Sequence, residues 1–179
     1  MSIKHPLPYS KNTLAGLVLA IILIVFSLDN QATAAPKMPE FSLPAVEDGA
    51  IVASSSYKGK ILLINFFATW CPPCRMEIPE LITLQTKYSK QDFTVIGFSV
   101  DQGGRKNVKK FLSKLNVNYP VVMADDKTSD SFGGVAGIPF SFLIDRSGNI
   151  VKAYPGYIPP GVFQKDMEQI IQTSTTTKR

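Results

Sequence analysis

The chain has 179 residues, a formal charge of +5 and 45 % hydrophobic residues, which fits one domain with a sizeable core plus a leader. Removing residues 1–34 takes away Lys4, Lys11 and Asp29 and leaves +4, a mildly basic balance with no tract long enough to argue for nucleic acid. The only cysteines are Cys71 and Cys74, and the only histidine, His5, lies near the N-terminus. A zinc site needs about four ligands, and neither a Cys–His–acid catalytic set nor a CxxxC-plus-His copper site can be assembled from these residues.

In chain order, Lys4 and Lys11 precede an uninterrupted apolar run at residues 14–28, LAGLVLAIILIVFSL, closed by Asp29. As a helix it reaches about 22 Å, short of the ~30 Å hydrocarbon core. Ala32-Thr33-Ala34 then supplies the small-x-small pattern of a signal-peptidase site, with cleavage before Ala35. Residues 1–34 therefore read as a signal peptide or an N-terminal membrane anchor, and residues 35–179 as one domain. Either reading places the folded part outside the cytoplasm, in the periplasm or on the extracytoplasmic face of the inner membrane.

Residues 35–59 are rich in Pro, Ser and Gly, with short strand candidates at 40–43 and 50–53. Residues 61–67, ILLINFF, form a continuous apolar run suited to a strand buried on both faces. A helix follows from Cys71, with Cys74, Ile78, Leu81 and Ile82 on a shared face; Pro72 suits its first turn, and Pro79 is expected to kink it. A second buried strand is expected at 93–100. A helix then carries Val108, Phe111, Leu112 and Leu115 on one face, and its basic side (Arg105, Lys106, Lys109, Lys110, Lys114) reads as solvated, with attraction of an acidic partner the alternative. Strands at 119–123, 141–145 and 150–154 follow, the last two joined by a hairpin signal at Arg146-Ser147-Gly148-Asn149. Phe163, Met167, Ile170 and Ile171 mark a C-terminal amphipathic helix. This order implies an α/β fold, a mixed central sheet with helices on both faces.

The cysteine pair carries the chemistry. CxxC at a helix start can be a redox pair, half of a metal site or a structural staple. The metal reading lacks ligands, and a loop this short restrains little unfolded-chain entropy. For the redox reading, a helix N-terminus offers free N–H groups and partial positive charge, both favouring a thiolate. Cys71 is then the attacking thiol and Cys74 the resolving one. Pro72 and Pro73 delete two N–H donors beside Cys71, so the thiolate should be only moderately favoured and the couple reducing. No cofactor is needed beyond the Cys71–Cys74 disulfide.

Residues 59–81, GKILLINFFATWCPPCRMEIPEL, resemble the active-site region of thioredoxin-fold proteins. The similarity points to redoxin-related, extracytoplasmic thiol-disulfide oxidoreductases of the TlpA/ResA/CcmG kind. Gly137-Ile138-Pro139 followed by FSFLIDRSGNIV resembles that family's cis-proline loop and the hairpin after it. The resemblance spans residues 39–172. It implies a thioredoxin-like fold with an N-terminal strand extension and an inserted strand–helix unit near residues 103–125. It also implies a cis Ile138–Pro139 bond, with Ile138 presenting its backbone to a substrate strand, and reduction of protein disulfides, often in cytochrome c maturation. The implied partners are disulfide-bearing proteins such as apocytochrome c and a membrane thiol donor, with residues 14–28 as a tether.

Two positions depart from the family pattern. Phe140-Ser141 follows the proline where Thr-Thr is common, so a bulkier and more apolar groove is expected. Asn65 stands where cytoplasmic thioredoxins place a proton-handling aspartate, and an amide cannot do that job. Glu77, at i+3 from Cys74, is the replacement candidate, against the reading of a surface glutamate favoured by the helix dipole. Trp70 either packs in the core or shapes the docking surface, and Arg75 reads as an exposed residue that raises the local potential. Two other functions fit less well: a thiol peroxidase, or a non-catalytic module binding apocytochrome or haem.

Overall fold

Every residue of Ile61–Phe67 (β3) is buried, and the remaining elements are placed by that strand. The structure, a computed structural model, describes residues 35–176, with side chains through residue 172. The apolar run at 14–28 and the expected cleavage point lie outside the described residues. No helix among the described residues is long and apolar enough to cross a membrane.

In chain order the elements are β1 (Ser42–Pro44), β2 (Ile51–Ala53), β3, α1 (Pro72–Tyr88), β4 (Phe93–Ser99), α2 (Arg105–Lys114), β5 (Val121–Met123), α3 (Asp126–Ser131), β6 (Phe140–Ile144), β7 (Ile150–Pro155) and α4 (Val162–Thr176). The central sheet has five strands in the order β5-β4-β3-β6-β7. β3 pairs parallel with β4 and antiparallel with β6, which makes the sheet mixed. β5 extends the parallel side and β7 the antiparallel side.

The unbroken apolar runs of β3 and β4 resolve into two faces with a period of two. Ile61, Leu63 and Phe67 point into one core with Phe93 and Val95, while Leu62, Ile64 and Phe66 point into the other with Ile96 and Phe98. Helices contribute Leu81, Leu84 and Tyr88 (α1), Val108 (α2), and Phe163 and Met167 (α4) to the first core. The second core is closed by Phe41 and Leu43 from the N-terminal hairpin region and by Phe132 just after α3. Helices lie on both faces as expected, and on the second face α3, whose C-cap is Phe132, shares the cover with the β1–β2 extension. That extension is held at the sheet edge by Val46 N–H donating to Val121 O at 2.8 Å.

α1 runs as one element with Pro79 inside it, at an exposed position; the Pro79 carbonyl accepts the Thr83 hydroxyl at 2.9 Å. The insertion runs helix first and strand second (α2, β5), in the order in which the basic helix and the strand at 119–123 follow each other in the sequence reading. α3 has no counterpart in the sequence reading. Its six residues are too few to show a period, although Asp125 is a recognisable N-cap, accepting Thr128 N–H at 2.8 Å.

The second core is bound by edge-to-face rings, with Phe98 5.0 Å from Phe41 and 4.9 Å from Phe66 between centroids. Phe98→Ala should therefore lower stability by about 3–5 kcal/mol, read as a fall in the urea midpoint. Phe140→Ala, at the half-buried rim of the same cluster, should cost less than half of that.

Candidate active site

The C-terminal end of β3 delivers the chain to the start of α1, and the turn between them is fixed by polar contacts. Thr69 donates its N–H (2.9 Å) and its hydroxyl to the carboxylate of Asp101, which lies just after β4. Asp101 also accepts the Ser99 hydroxyl at 2.9 Å. The anchor locks the chain between Ala68 and Cys71, and Cys71 N–H closes the turn on Ala68 O at 3.2 Å. Sequence reasoning missed Asp101, because nothing local links it to a threonine 32 residues away.

Cys71 is the N-cap of α1, and its sulfur accepts the N–H of Cys74 at 3.3 Å. Pro72 and Pro73 have no N–H, so Cys74 supplies the one hydrogen bond to that sulfur. The two cysteines form a disulfide. Cys71 keeps 3 % of its surface exposed and Cys74 1 %, so both are buried. Trp70, immediately before them, is 67 % exposed; it stands on the surface and not in the core.

The Ile138–Pro139 bond is cis. It places Ile138 O 3.9 Å from Cys71 Sγ, so residues 67 apart in the chain meet at the disulfide. Pro139 O accepts Gly156 N–H at 2.9 Å, which ties this loop to the end of β7. Phe140 does not enlarge the groove: its ring lies 4.9 Å from that of Phe142 and packs into the second core, away from the cysteine face. Ser141 faces the cysteine side instead, in register with Asn65 and accepting its amide at 2.9 Å.

One turn beyond Cys74 on α1, Glu77 is only 2 % exposed. Its Oε1 accepts Ile158 N–H at 2.7 Å and its Oε2 accepts the Asn65 amide at 3.2 Å. The reading of a surface glutamate is thereby overturned: the side chain turns inward, and Asn65 serves it as a donor. Burial pushes the Glu77 carboxyl up to about 7, against the opposing pull of the Ile158 N–H and the Asn65 amide; the Glu80 charge adds to the rise. The phenol of buried Tyr119 is raised as well, first by burial and then by the Glu77 charge. One turn further along α1, Glu80 accepts Gly161 N–H at 2.7 Å, so both carboxylates grip the segment between β7 and α4. Glu80 and Ile158 were missed; the i,i+3 carboxylates in MEIPEL were the available signal, but their partners lie 81 residues away.

A cavity of about 520 Å³ lies at the opposite end of β3, lined by Lys37, Tyr57, Lys58, Leu62 and Arg146. It includes none of the cysteine-site residues. The disulfide thus sits at a surface framed by Trp70 and the Ile138–Pro139 loop.

The family model described as Redoxin matches residues 33–171. The chain belongs to the redoxin family. Among curated relatives it is 31 % identical over 133 residues to a thiol-disulfide oxidoreductase ResA of Geobacillus thermodenitrificans, covering 74 % of this chain and 75 % of that one. It is 32 % identical over 136 residues to a thiol:disulfide interchange protein DsbE of Pseudomonas aeruginosa, covering 75 % and 73 %. Among solved structures, a thioredoxin-family thiol:disulfide interchange protein of Chlorobium tepidum superposes with a TM-score of 0.71 at 37 % identity, covering 78 % of this chain and 98 % of that one. The fold is therefore thioredoxin-like, and the chain is a redox enzyme of the thiol-disulfide oxidoreductase class.

The raised Glu77 carboxyl has a consequence for stability. The native state keeps the proton up to about 7, whereas the unfolded chain releases it near 4.5. Between those values the native state binds more protons, so this residue makes stability fall as pH rises through the window and level off above it. Urea midpoints measured across that range should show a decline in the wild type that is absent from Glu77→Gln. Parallel curves would remove the assignment.

Proposed function

We propose that this redoxin is a protein-disulfide reductase working outside the cytoplasm, in which Cys71 attacks the substrate disulfide and Cys74 resolves the mixed disulfide. The observation that carries the reading is Cys71 at the N-cap of α1, with its sulfur on the N–H of Cys74 and beside Ile138 O. The helix end lowers the cost of a thiolate on Cys71, and the exposed Trp70 with the cis-proline loop offers a protein strand a place to lie. Buried Cys74 has Glu77 one turn along the helix, and a carboxyl that titrates near neutrality suits transfer of the resolving thiol's proton.

The extracytoplasmic setting is supported by the leader and by cysteine usage: with no other thiol in the chain, mispairing in an oxidising compartment is avoided. Residues 1–34 act as a signal peptide or retained tether, a membrane dithiol donor recharges the disulfide, and apocytochrome c is a candidate client. The relatives named as oxidoreductases and interchange proteins support the reaction class.

Wild-type protein should reduce insulin disulfides and Cys71→Ser should not, whereas Cys74→Ser should accumulate mixed disulfides on Cys71 whose captured partners identify the client. An active Cys71→Ser would overturn the assignment. Because a single N–H reaches the Cys71 sulfur, equilibration with glutathione should give a potential well below the about −120 mV of a strong oxidase; a value near that figure would contradict the reducing direction.

A further inference from the structure

The parallel pairing of β3 and β4 brings their C-terminal ends to the same edge of the sheet. The cysteine turn leaves β3 there, and α2 begins a few residues after β4 leaves the same edge. α2 packs alongside α1: Phe111 and Leu112 pack against the core cluster that contains Cys71 and Cys74, and Asn118 just beyond α2 donates to Ile82 O and Thr86 Oγ1 of α1. Arg75, the residue after Cys74, lies over the Phe111 ring with 5.8 Å to its centroid. That stacking joins the cysteine turn to the charged helix.

The basic residues of α2 divide by face. Lys109 is committed to Glu47 at 2.9 Å. Lys106, Lys110 and Lys114 recur every fourth residue, so they line one row, and Lys110 and Lys114 flank Phe111. All three are exposed, as is Arg75, and none of the four has an acidic partner among the described residues. The neighbouring acids are engaged: Glu77 and Glu80 with backbone N–H groups of the segment after β7, and Asp101 with Thr69 and Ser99. α2 itself contains no acidic residue. Four exposed cations without an acidic partner therefore sit on α1 and α2, the two helices that pack against the cluster containing the cysteines, with Arg75 next to Cys74 and the lysines on the solvent side of α2.

We infer that Arg75, Lys106, Lys110 and Lys114 form a docking strip for an acidic segment of the disulfide-bearing protein substrate. The inference rests on the reductase reading and adds the chemistry of the client. The strip steers a polypeptide with Asp or Glu beside its disulfide onto Cys71. The exchange itself is unchanged: the dithiol gives two electrons and two protons, the substrate disulfide leaves as two thiols, and Cys71–Cys74 is oxidised.

The test compares the dithiol form of the full chain, in detergent, on two disulfide peptides of equal length, one flanked by Asp and Glu and one by Lys. Hydroxyethyl disulfide serves as the uncharged control. Rates are taken at about 0.01 M and about 1 M salt, where the Debye length is about 30 Å and about 3 Å. The acidic peptide should react about tenfold or more faster than the basic one at low salt, and the gap should close at high salt. In Lys106→Gln/Lys110→Gln/Lys114→Gln the gap should collapse at low salt while the hydroxyethyl disulfide rate stays at the wild-type value. Equal peptide rates at low salt, or a gap that survives the triple substitution, would overturn the strip. So would triple-variant loss of binding to anionic lipid vesicles with no change in peptide rates, which would assign the cations to a membrane surface. Failure of the wild type on hydroxyethyl disulfide would sink the reductase reading and this inference with it, and is distinguishable because no charge enters that reaction.

Discussion

A buried carboxyl is the constraint on which this site depends. Glu77 reaches from α1 to three separate parts of the chain: directly to Asn65 in β3 and to Ile158 after β7, and through Asn65 to Ser141 in β6. A carboxylate can be carried into an apolar core only if its oxygens find donors or it keeps its proton. Both conditions operate here, since two donors meet the oxygens and burial still raises the carboxyl to about 7. The result is a buried proton-holding group one turn beyond Cys74 on α1, tied to β3, the strand that delivers the chain to the cysteine turn.

The cysteine turn is built with the opposite economy. An ordinary helix start offers several free N–H groups, and here prolines remove two of them. One remaining N–H, from Cys74, meets the Cys71 sulfur. Moderate stabilisation of the thiolate suits a reductant, because a thiolate held too firmly becomes a good leaving group and a poor donor. In the proposed reductase, substrate recognition falls to an exposed indole, the Ile138 backbone, and the cations of Arg75 and α2.

Much of this was legible in the sequence because it is local. Ile61–Phe67 and Phe93–Ser99 are continuous apolar runs of strand length, the cysteine spacing marks the helix start, and Arg146-Ser147-Gly148-Asn149 marks the hairpin. Strand ends shifted by a residue or two, as at Val121–Met123, where Tyr119 and Pro120 precede the pairing. What escaped depends on distant pairing. Glu77 at i+3 from Cys74 identified a candidate, but its inward turn follows from a donor at Ile158. Phe140 looked like a groove residue by its place after the proline, whereas strand alternation sends its ring to the far core with Phe142. The cover of that core by the β1–β2 hairpin was also hidden, since Phe41 and Leu43 carry no mark of which face they will meet.

The central claim is that Glu77 holds a proton near neutrality and exchanges it with the resolving thiol. The most direct measurement follows the Glu77 side-chain carboxyl carbon by NMR through a pH titration of the disulfide and dithiol forms. The account predicts a midpoint near 7 in the disulfide form, and in the dithiol form an inflection shared with Cys74. A single midpoint near 4.5, the ordinary carboxyl value, in both forms would contradict it.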